Sequence, residues 1–205
     1  MVEHRQLAAY VRGVAERLEL PPGASFATVS TFAADLGHTS IFAALLRGGC
    51  LHVISRERAE SPPLLAEYFA REAIDVLKIA PSHLAALQGA SRPERVMPRR
   101  RLVLGGEACA LDRIAQLRAM APGCEIHNHY GPTEATVGVL TYRVDGSLPG
   151  APRPSCPSST GTRSCTTWPS TGRTARAPAT SSASPQTSKS LCAAICAASP
   201  SRTTG

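Results

Sequence analysis

The stretch from Arg100 to Tyr130, RRLVLGGEACALDRIAQLRAMAPGCEIHNHY, carries the pattern that decides the fold. It opens with a short apolar run that ends at two glycines, continues with apolar residues at helical spacing, and closes with EIHNHY. Short apolar runs bounded by glycine indicate buried strands, and the intervening spacing indicates a helix. The stretch therefore predicts one strand–helix–strand unit of a parallel sheet.

The same alternation extends toward the N-terminus and a little beyond Tyr130. A first helix is predicted from the apolar spacing of Leu7, Tyr10 or Val11, Val14 and Leu18. Further helices are predicted in TSIFAALLRGG, PPLLAEYFAREA and PSHLAALQG, and further strands in SFATVST, CLHVIS, IDVLKIA and ATVGVLTYRV. The predicted fold class is α/β, a mostly parallel sheet with helices on both faces.

The charge of the chain divides unevenly along its length. The formal net charge is +7, but no Asp or Glu follows Asp145, whereas six of the 22 Lys and Arg residues do. The first 145 residues are therefore close to neutral and give no reason to expect a nucleic acid as partner.

The composition changes abruptly after residue 145. Residues 146–205 are rich in Ser, Thr, Pro and Ala, lack Val, Phe and Tyr, and contain Trp168 as their lone aromatic residue. Such a segment buries too little apolar area to offset chain entropy, so we expect a disordered tail. A shifted reading frame in a GC-rich gene is one origin for this composition. We predict two regions: 1–145 as a partial folded domain and 146–205 as a tail.

The cysteines and the N-terminus indicate the cellular compartment of the protein. The seven cysteines follow no zinc-ligand spacing and no evident disulfide framework. The N-terminus has charges every few residues, and no run of about 18 apolar residues is present. We expect a reduced, cytoplasmic protein that does not bind a membrane.

Four loops follow predicted strands: AADLGHT, KIAPSH, GGEA and HYGPTE. In open α/β sheets ligands bind beyond the carboxyl ends of the strands, so these loops are expected to face one crevice. In the last loop Tyr130 offers a flat face to a purine, Thr133 a hydroxyl to a phosphate, and Glu134 an oxygen ligand to Mg²⁺. The alternative is a plain turn at Gly131 and Pro132 with Thr133 as a cap.

Three stretches together resemble a known family. NHYGPTEATVG is similar to the adenylate-forming motif of nonribosomal peptide synthetase adenylation domains, and RLVLGGEA and FAADLGHTSIFAALLRGGCLHVI resemble two neighbouring stretches in the same order. The resemblance covers Val2 to about Asp145. It implies an ATP-dependent reaction that joins an amino acid to AMP with release of pyrophosphate. It also implies transfer of the aminoacyl group to the phosphopantetheine thiol of a carrier protein.

The resemblance further implies a nucleotide site that uses ATP and Mg²⁺. Tyr130 would pack on adenine and Thr133 would contact the α-phosphate, which makes Thr133 and Glu134 the expected catalytic residues. Glu134 would hold Mg²⁺. The other residues expected to line the nucleotide are Gly105, Gly106, Glu107, Asn128 and Gly131.

The same resemblance implies an amino-acid pocket. Its nine matching positions are Asp35, Leu36, Thr39, Lys78, Val103, Gly105, His129, Val137 and Gly138. An acid at the Asp35 position would pair with the α-ammonium of the substrate. Lys78 and His129 bring one fixed and one possible positive charge, and buried charges require an anionic partner. The set resembles an aspartate-type pocket, with asparagine as the second choice.

Each charged residue of this pocket has an alternative interpretation. Lys78 could reach solvent or pair with Glu107, and Asp35 could be the N-cap of the helix that starts near Thr39. His127 and His129 would share one face of a strand and could bind a metal, although no third ligand is evident nearby.

The expected activity depends on parts of the family pattern that these 205 residues do not show. The family's phosphate loop would lie just before VEHRQL, and its ribose-binding Asp and lid Lys would follow Asp145. Because catalysis requires charge stabilisation at the phosphates and closure of the lid, we expect negligible turnover by this chain alone. The competing hypothesis is a non-catalytic α/β binding module with a basic tail.

Overall fold

The computed structural model describes residues 2–89 and 92–144, which form a sheet with helices on both faces. The strands are β1 Ser25–Thr28, β2 Cys50–Val53, β3 Val76–Ile79, β4 Arg101–Gly105, β5 Glu125–Tyr130 and β6 Leu140–Arg143. The α-helices are α1 His4–Arg17, α2 His38–Leu46, α3 Arg56–Glu60, α4 Pro62–Glu72, α5 Pro81–Leu87 and α6 Leu111–Met120. Short 3-10 turns span Asp35–Gly37, Pro93–Val96 and Thr133–Ala135.

The strand order within the described residues is β2-β1-β3-β4-β5-β6. The first five strands pair in parallel, and β6 pairs antiparallel to β5. This arrangement confirms the predicted α/β class and the predicted unit of β4, α6 and β5. The parallel strands coincide with the apolar runs of the sequence because both faces of each strand are covered. In β3, for example, all four residues are buried.

The two faces of the sheet carry separate cores. One core contains buried side chains from α4, α5 and α6, among them Leu65, Leu84 and Leu117. The other contains buried side chains from α1 and α2, including Val14 and Ala44. Alternate residues of each strand contribute to opposite cores, so the register of a residue decides which layer it joins.

Local signals place the helix ends. Glu3 and Gln6 form a reciprocal capping box at the start of α1, with the Glu3 N–H donating to Gln6 Oε1 at 2.6 Å. Pro62 stands in the first turn of α4, where its missing N–H costs nothing. Ala73 ends that helix in the left-handed conformation, at φ +52°.

Two elements differ from the sequence prediction. Helix α3 was not predicted, because RERAE has no apolar period; Ser55 caps it by accepting the N–H of Arg58 at 3.5 Å. The predicted strand ATVGVLTYRV is wrong in its first half, since β6 begins only at Leu140. The preceding residues form the 3-10 turn and two left-handed positions, Thr136 and Val137.

The predicted tail, 146–205, lies outside the described residues. Among the helices that the structure describes, none combines the length and the apolar character needed to cross a bilayer.

Candidate functional site: a crevice at the carboxyl ends of four strands

The four predicted loops follow strands that lie side by side in the sheet. Strands β1, β3, β4 and β5 are neighbours in that order, so their carboxyl ends meet at one edge. In register, Thr28 lies beside Lys78, Lys78 beside Val103, and Gly105 beside His129. The parallel pairing thus gathers side chains that are up to about a hundred residues apart in sequence.

Gly105 lies at the centre of this group. A Cβ added to it would stand 3.3 Å from Lys78 Cε, 3.5 Å from Leu36 Cδ1 and 2.9 Å from the carbonyl oxygen of His129. The last distance is too short for a real Cβ, so this position excludes side chains. Four residues predicted for the amino-acid pocket therefore converge on one point.

Lys78 is buried, with only 2% of its surface exposed. Its Nζ donates a hydrogen bond to Thr39 Oγ1 at 2.7 Å. Burial lowers the pKa of Lys78 to about 7, and the negative charge of Asp35 partly opposes that shift. Both alternatives for Lys78 are therefore wrong, because the ammonium neither reaches solvent nor pairs with Glu107.

Glu107 bonds instead to the start of α5. Its carboxylate accepts the Ser82 hydroxyl at 2.7 Å and the Ser82 N–H at 3.1 Å. These bonds fasten the loop after β4 to the loop after β3. Gly106 turns that loop at φ +84°, a left-handed value that favours glycine.

Asp35 begins the 3-10 turn Asp35–Gly37 that leads into α2. Ala34 and Gly37 occupy the N-cap positions of the turn and of the helix, so the N-cap alternative for Asp35 is wrong. The Oδ2 atom of Asp35 is buried and accepts no hydrogen bond from any residue that the structure describes. A buried carboxylate oxygen without a donor is costly, which marks a place where a donor is needed.

His129 faces the same layer as Lys78 and is 3% exposed. Burial, reinforced by the charge of Lys78, lowers the pKa of His129 well below its ordinary value, so the ring is neutral. Its Nε2 lies 3.3 Å from the hydroxyl of Tyr10, which also lies 2.6 Å from Thr39 Oγ1. Tyr10 was not predicted for the site; the helical spacing left Tyr10 and Val11 equivalent, and both are buried.

Val103 and Val137 line the same apolar layer and belong to the core beneath α1 and α2. Thr136 and Val137 have φ values of +62° and +70°. This region is strained for β-branched side chains, and such strain clusters at binding sites. The strained segment carries Gly138 directly onto the imidazole of His129, where an added Cβ would overlap ring atoms.

Substituting Gly138→Ala should therefore expel the imidazole from its position. We expect a loss of about 2 kcal/mol in the free energy of unfolding, as for other overpacked cores, measured by urea denaturation. The matched control is Gly123→Ala, where an added Cβ has no heavy atom within 4 Å, so the change should stay within about 0.5 kcal/mol. Equal midpoints for the two variants would contradict the packing of Gly138 on His129.

The residues predicted for the nucleotide lie at the same edge but in a different layer. Asn128 and Tyr130 alternate with His129 along β5 and so belong to the opposite face of the sheet. Tyr130 is 46% exposed, and its carbonyl accepts the Val139 N–H at 2.9 Å, which closes the loop between β5 and β6. Gly131 lies inside this closed loop, against Gly138.

Thr133 and Glu134 are exposed at the start of the third 3-10 turn. Pro132 occupies the N-cap position, so the alternative of Thr133 as the cap is wrong. A single exposed carboxylate fits Mg²⁺ that is bound mainly by substrate phosphates and water. Glu134 is suited to this because it forms no ion pair with any described residue.

His127 shares the face of His129 but has a different surrounding. Its Nε2 lies 3.5 Å from Glu125 Oε2, and the guanidinium groups of Arg101 and Arg143 are nearby. Burial and the charge of Arg101 lower the pKa of His127 to about 4, against the opposing effect of Glu125. Within residues 2–89 and 92–144, no three His, Cys, Asp or Glu side chains form a group that could hold a metal ion.

Comparisons with known proteins place this chain in a family. The model of the family described as AMP-binding enzyme matches residues 1–170. The chain is 35% identical over 153 residues to surfactin synthase subunit 2 of Bacillus subtilis (strain 168), covering 73% of this chain and 4% of that protein. It is 33% identical over 157 residues to bacitracin synthase 1 of Bacillus licheniformis, covering 74% of this chain and 3% of that protein.

Solved structures agree with the sequence matches. A crystal structure of the nonribosomal peptide synthetase FmoA3 in its alpha-methyl-L-serine-AMP-bound form superposes with a TM-score of 0.63 at 27% identity, over 70% of this chain and 16% of that one. The chain spans only a small part of the relatives it matches. The family match over residues 1–170 confirms the resemblance carried by the three motifs. The chain therefore belongs to the AMP-binding enzyme family, and its relatives are the adenylation domains of nonribosomal peptide synthetases.

Proposed function

We propose that this chain supplies the amino-acid pocket and the adenine-side loop of a domain that joins an amino acid to AMP. The proposed substrate is L-aspartate, with L-asparagine as the second choice. The reaction consumes ATP, releases pyrophosphate, and precedes transfer of the aspartyl group to the phosphopantetheine thiol of a carrier protein. Residues 1–145 would carry this function, in the cytoplasm, where ATP and free amino acids are available.

One observation carries the choice of aspartate: the pocket holds two opposite charges that are not paired with each other. Lys78 is bonded to the neutral hydroxyl of Thr39, and Asp35 Oδ2 is buried without a donor among the described residues. No ion pair joins either residue to another described residue. A ligand that carries one cation and one anion would satisfy both, because isolated buried charges are costly.

Aspartate has one ammonium and two carboxylates, so it supplies both charges and still keeps its α-carboxylate free to react, which a neutral amino acid cannot do. Its α-ammonium would bind Asp35, and its side-chain carboxylate would bind Lys78 beside the neutral ring of His129. Asparagine keeps the first interaction but offers only a neutral amide to Lys78. Leu36, Val103 and Val137 supply the apolar walls. The α-carboxylate is left to react at the outer edge of the crevice, toward the loop of Thr133 and Glu134.

At that outer edge, Tyr130 offers an exposed ring for adenine and Thr133 a hydroxyl for the α-phosphate. Glu134 would hold Mg²⁺, which neutralises charge on the phosphates when it is bound. Asn128 and the loop of Gly105 to Glu107 border the same space. A solved relative, FmoA3, has been crystallised both as an AMPPNP-bound form and as an alpha-methyl-L-serine-AMP-bound form. These forms support an aminoacyl-adenylate as the product of the proposed reaction.

The test is a calorimetric titration of the 205-residue chain with L-aspartate, L-asparagine and L-leucine. We expect binding of aspartate, binding of asparagine weaker by about tenfold or more, and no heat with leucine. The difference follows from the loss of one charge-assisted hydrogen bond, which is worth about 1.5–3 kcal/mol. Stronger binding of leucine than of aspartate would contradict the proposed substrate.

Turnover is measured separately by exchange of pyrophosphate into ATP. The 205 residues contain no GxxxxGK[ST] phosphate loop, and no acidic residue follows Asp145. We therefore propose that the chain by itself binds aspartate without measurable exchange. Exchange above the background of a Glu134→Gln variant would show that these residues suffice for catalysis.

A further inference from the structure

Tyr10 connects three separate elements through one buried hydroxyl. The residue belongs to α1 and is 3% exposed. Its hydroxyl lies 2.6 Å from Thr39 Oγ1 on α2 and 3.3 Å from His129 Nε2 on β5. Its ring also meets the His129 ring edge to face, with centroids 5.9 Å apart and planes at 63°.

The direction of this hydrogen-bond chain follows from donor counting. A protonated Lys78 has hydrogens to donate and no lone pair to offer. Thr39 Oγ1 therefore accepts from Lys78 at 2.7 Å, and its own hydrogen is left for the Tyr10 oxygen. Tyr10 in turn has one hydrogen, which His129 Nε2 is positioned to accept.

This direction requires His129 to be neutral, with its proton on Nδ1. Burial lowers the pKa of His129 well below its ordinary value, so at neutral pH one of its two ring nitrogens has a free lone pair. Donation by the Tyr10 hydroxyl would make Nε2 that nitrogen. Burial is also the main cause that raises the pKa of Tyr10, so the phenol keeps the hydrogen that it donates. A neutral His129 and a protonated Tyr10 phenol can therefore form this bond with Tyr10 as the donor.

We propose that Tyr10 is a positioning residue for the amino-acid pocket: it sets the direction of the chain Lys78→Thr39→Tyr10→His129 and fixes His129 as the Nδ1–H tautomer. Its role in binding rests on the proposed function. The direction of the chain does not, because it follows from contacts within the ligand-free protein. Holding Thr39 and His129 in place leaves the remaining N–H groups of Lys78 available to the carboxylate of the ligand.

The tautomer is measured by NMR on the full chain labelled with ¹⁵N-histidine, at pH 6, where Lys78 is protonated. We expect His129 to carry its proton on Nδ1, with its signals assigned by their loss in His129→Gln. Tyr10→Phe keeps the ring and removes the hydroxyl, so the Nδ1–H preference should weaken. Aspartate affinity should fall about fivefold in the same variant, the effect of one neutral hydrogen bond.

The matched control is Tyr68→Phe. The Tyr68 hydroxyl bonds to His52 Nδ1 at 2.9 Å, outside the pocket, so this variant should change the signals of His52 and leave His129 and aspartate binding unaltered. If Tyr10→Phe does not fold, Thr39→Val removes the hydroxyl that orients the Tyr10 hydrogen toward His129 while keeping the Tyr10–His129 contact. It should weaken the Nδ1–H preference in the same direction, by less than Tyr10→Phe.

Three results would overturn parts of the proposal. An Nε2–H or cationic His129 in the unmodified chain would show that the direction is wrong. An unchanged tautomer in both Tyr10→Phe and Thr39→Val would show that Tyr10 does not position His129. A tautomer that responds in a chain that fails to bind aspartate would reject the proposed substrate while supporting the hydrogen-bond chain.

Discussion

Replacing Lys78 with methionine should make the protein more stable and unable to select aspartate. We expect the free energy of unfolding at pH 6 to rise by about 3 kcal/mol, because well-packed apolar residues often stabilise sites that held buried charge. We expect aspartate affinity to fall about 100-fold or more, because the side-chain carboxylate loses its cation. Urea denaturation and calorimetry measure the two effects on the same sample.

The gain in stability should depend on pH in a way that identifies its cause. The pKa of Lys78 is about 7 in the folded chain and about 10.4 when the chain is unfolded. Between these values the unfolded state binds more protons, so the stability of the parent rises with pH by up to about 1.4 kcal/mol per unit. The destabilisation caused by burying the Lys78 ammonium is therefore complete below pH 7 and absent above about pH 10.5. The gain in stability from Lys78→Met should disappear over the same range.

Binding should show the complementary dependence. A carboxylate beside Lys78 raises its pKa in the complex, so above pH 7 aspartate binds only with uptake of a proton. Affinity should be constant between about pH 5 and pH 7, where both the carboxylate and Lys78 are charged, and should fall by up to tenfold per unit above pH 7. Asparagine binding should change much less over the same range.

The control for Lys78→Met is Arg56→Met, which removes the same charge from a side chain that is 89% exposed. Its surface ion pair with Glu60 contributes little, so stability should change by no more than about 0.5 kcal/mol. A Lys78→Met protein that is less stable than the parent at pH 6 would mean that the ammonium is better solvated than its burial indicates. Retained preference for aspartate over asparagine would mean that another group binds the carboxylate.

The fold could be predicted wherever burial leaves a periodic pattern in the sequence. β3 and β4 are apolar runs because both faces are covered, and α1 shows one apolar face because its other face meets solvent. Helix α3 has a single buried residue, Ala59, so there was no period to detect. The predicted strand was wrong around Thr136 and Val137 because the sequence signal there was misleading. β-branched residues favour strands, but closing the loop over His129 forces both residues into left-handed conformations.

The position of the crevice was predictable because the ends of the strands determine where the loops meet. The hydrogen-bond partners within the crevice were not predictable. Tyr10 and His129 are 119 positions apart and meet only because α1 packs over β5. The absence of a described donor to Asp35 Oδ2 is likewise a property of the packed structure. From the sequence alone, Glu107 was a reasonable partner for Lys78, whereas in the structure Lys78 donates to Thr39.

Several features that cost stability lie in this crevice. It contains a buried ammonium, a buried carboxylate oxygen without a described donor, and two strained residues, Thr136 and Val137. Outside the crevice, the described residues with comparable costs include His127 and Glu125, which have buried atoms without a hydrogen bond, and Glu19 and Ala73, which have left-handed φ values. Proteins retain local costs of this kind where they serve a ligand, since selection for stability alone would remove them. The combination of a buried ammonium and an unpartnered carboxylate oxygen in one crevice favours a binding role over a purely structural one.

Substituting Asp35→Asn should abolish recognition of the α-ammonium while leaving the fold intact. The amide has nearly the same shape, but its nitrogen cannot accept a hydrogen bond and its oxygen carries no charge. We expect aspartate affinity to fall about 100-fold, the upper range for a charge-assisted hydrogen bond. Loss of the Asp35 charge also lowers the pKa of Lys78 further, because that charge now opposes the effect of burial, so binding should be measured at pH 6.

Binding of succinate distinguishes loss of ammonium recognition by Asp35 from general disruption of the pocket, because succinate is aspartate without the ammonium group. The parent should bind succinate far more weakly than aspartate, and Asp35→Asn should bind the two ligands with similar affinity. Asp112→Asn, on the exposed surface of α6, is the matched control and should behave as the parent. If Asp35→Asn weakened aspartate and succinate by the same factor, Asp35 would be shaping the pocket and not binding the ammonium. The orphaned Oδ2 atom would then need a different donor, and the case for an amino-acid substrate would rest on Lys78 alone.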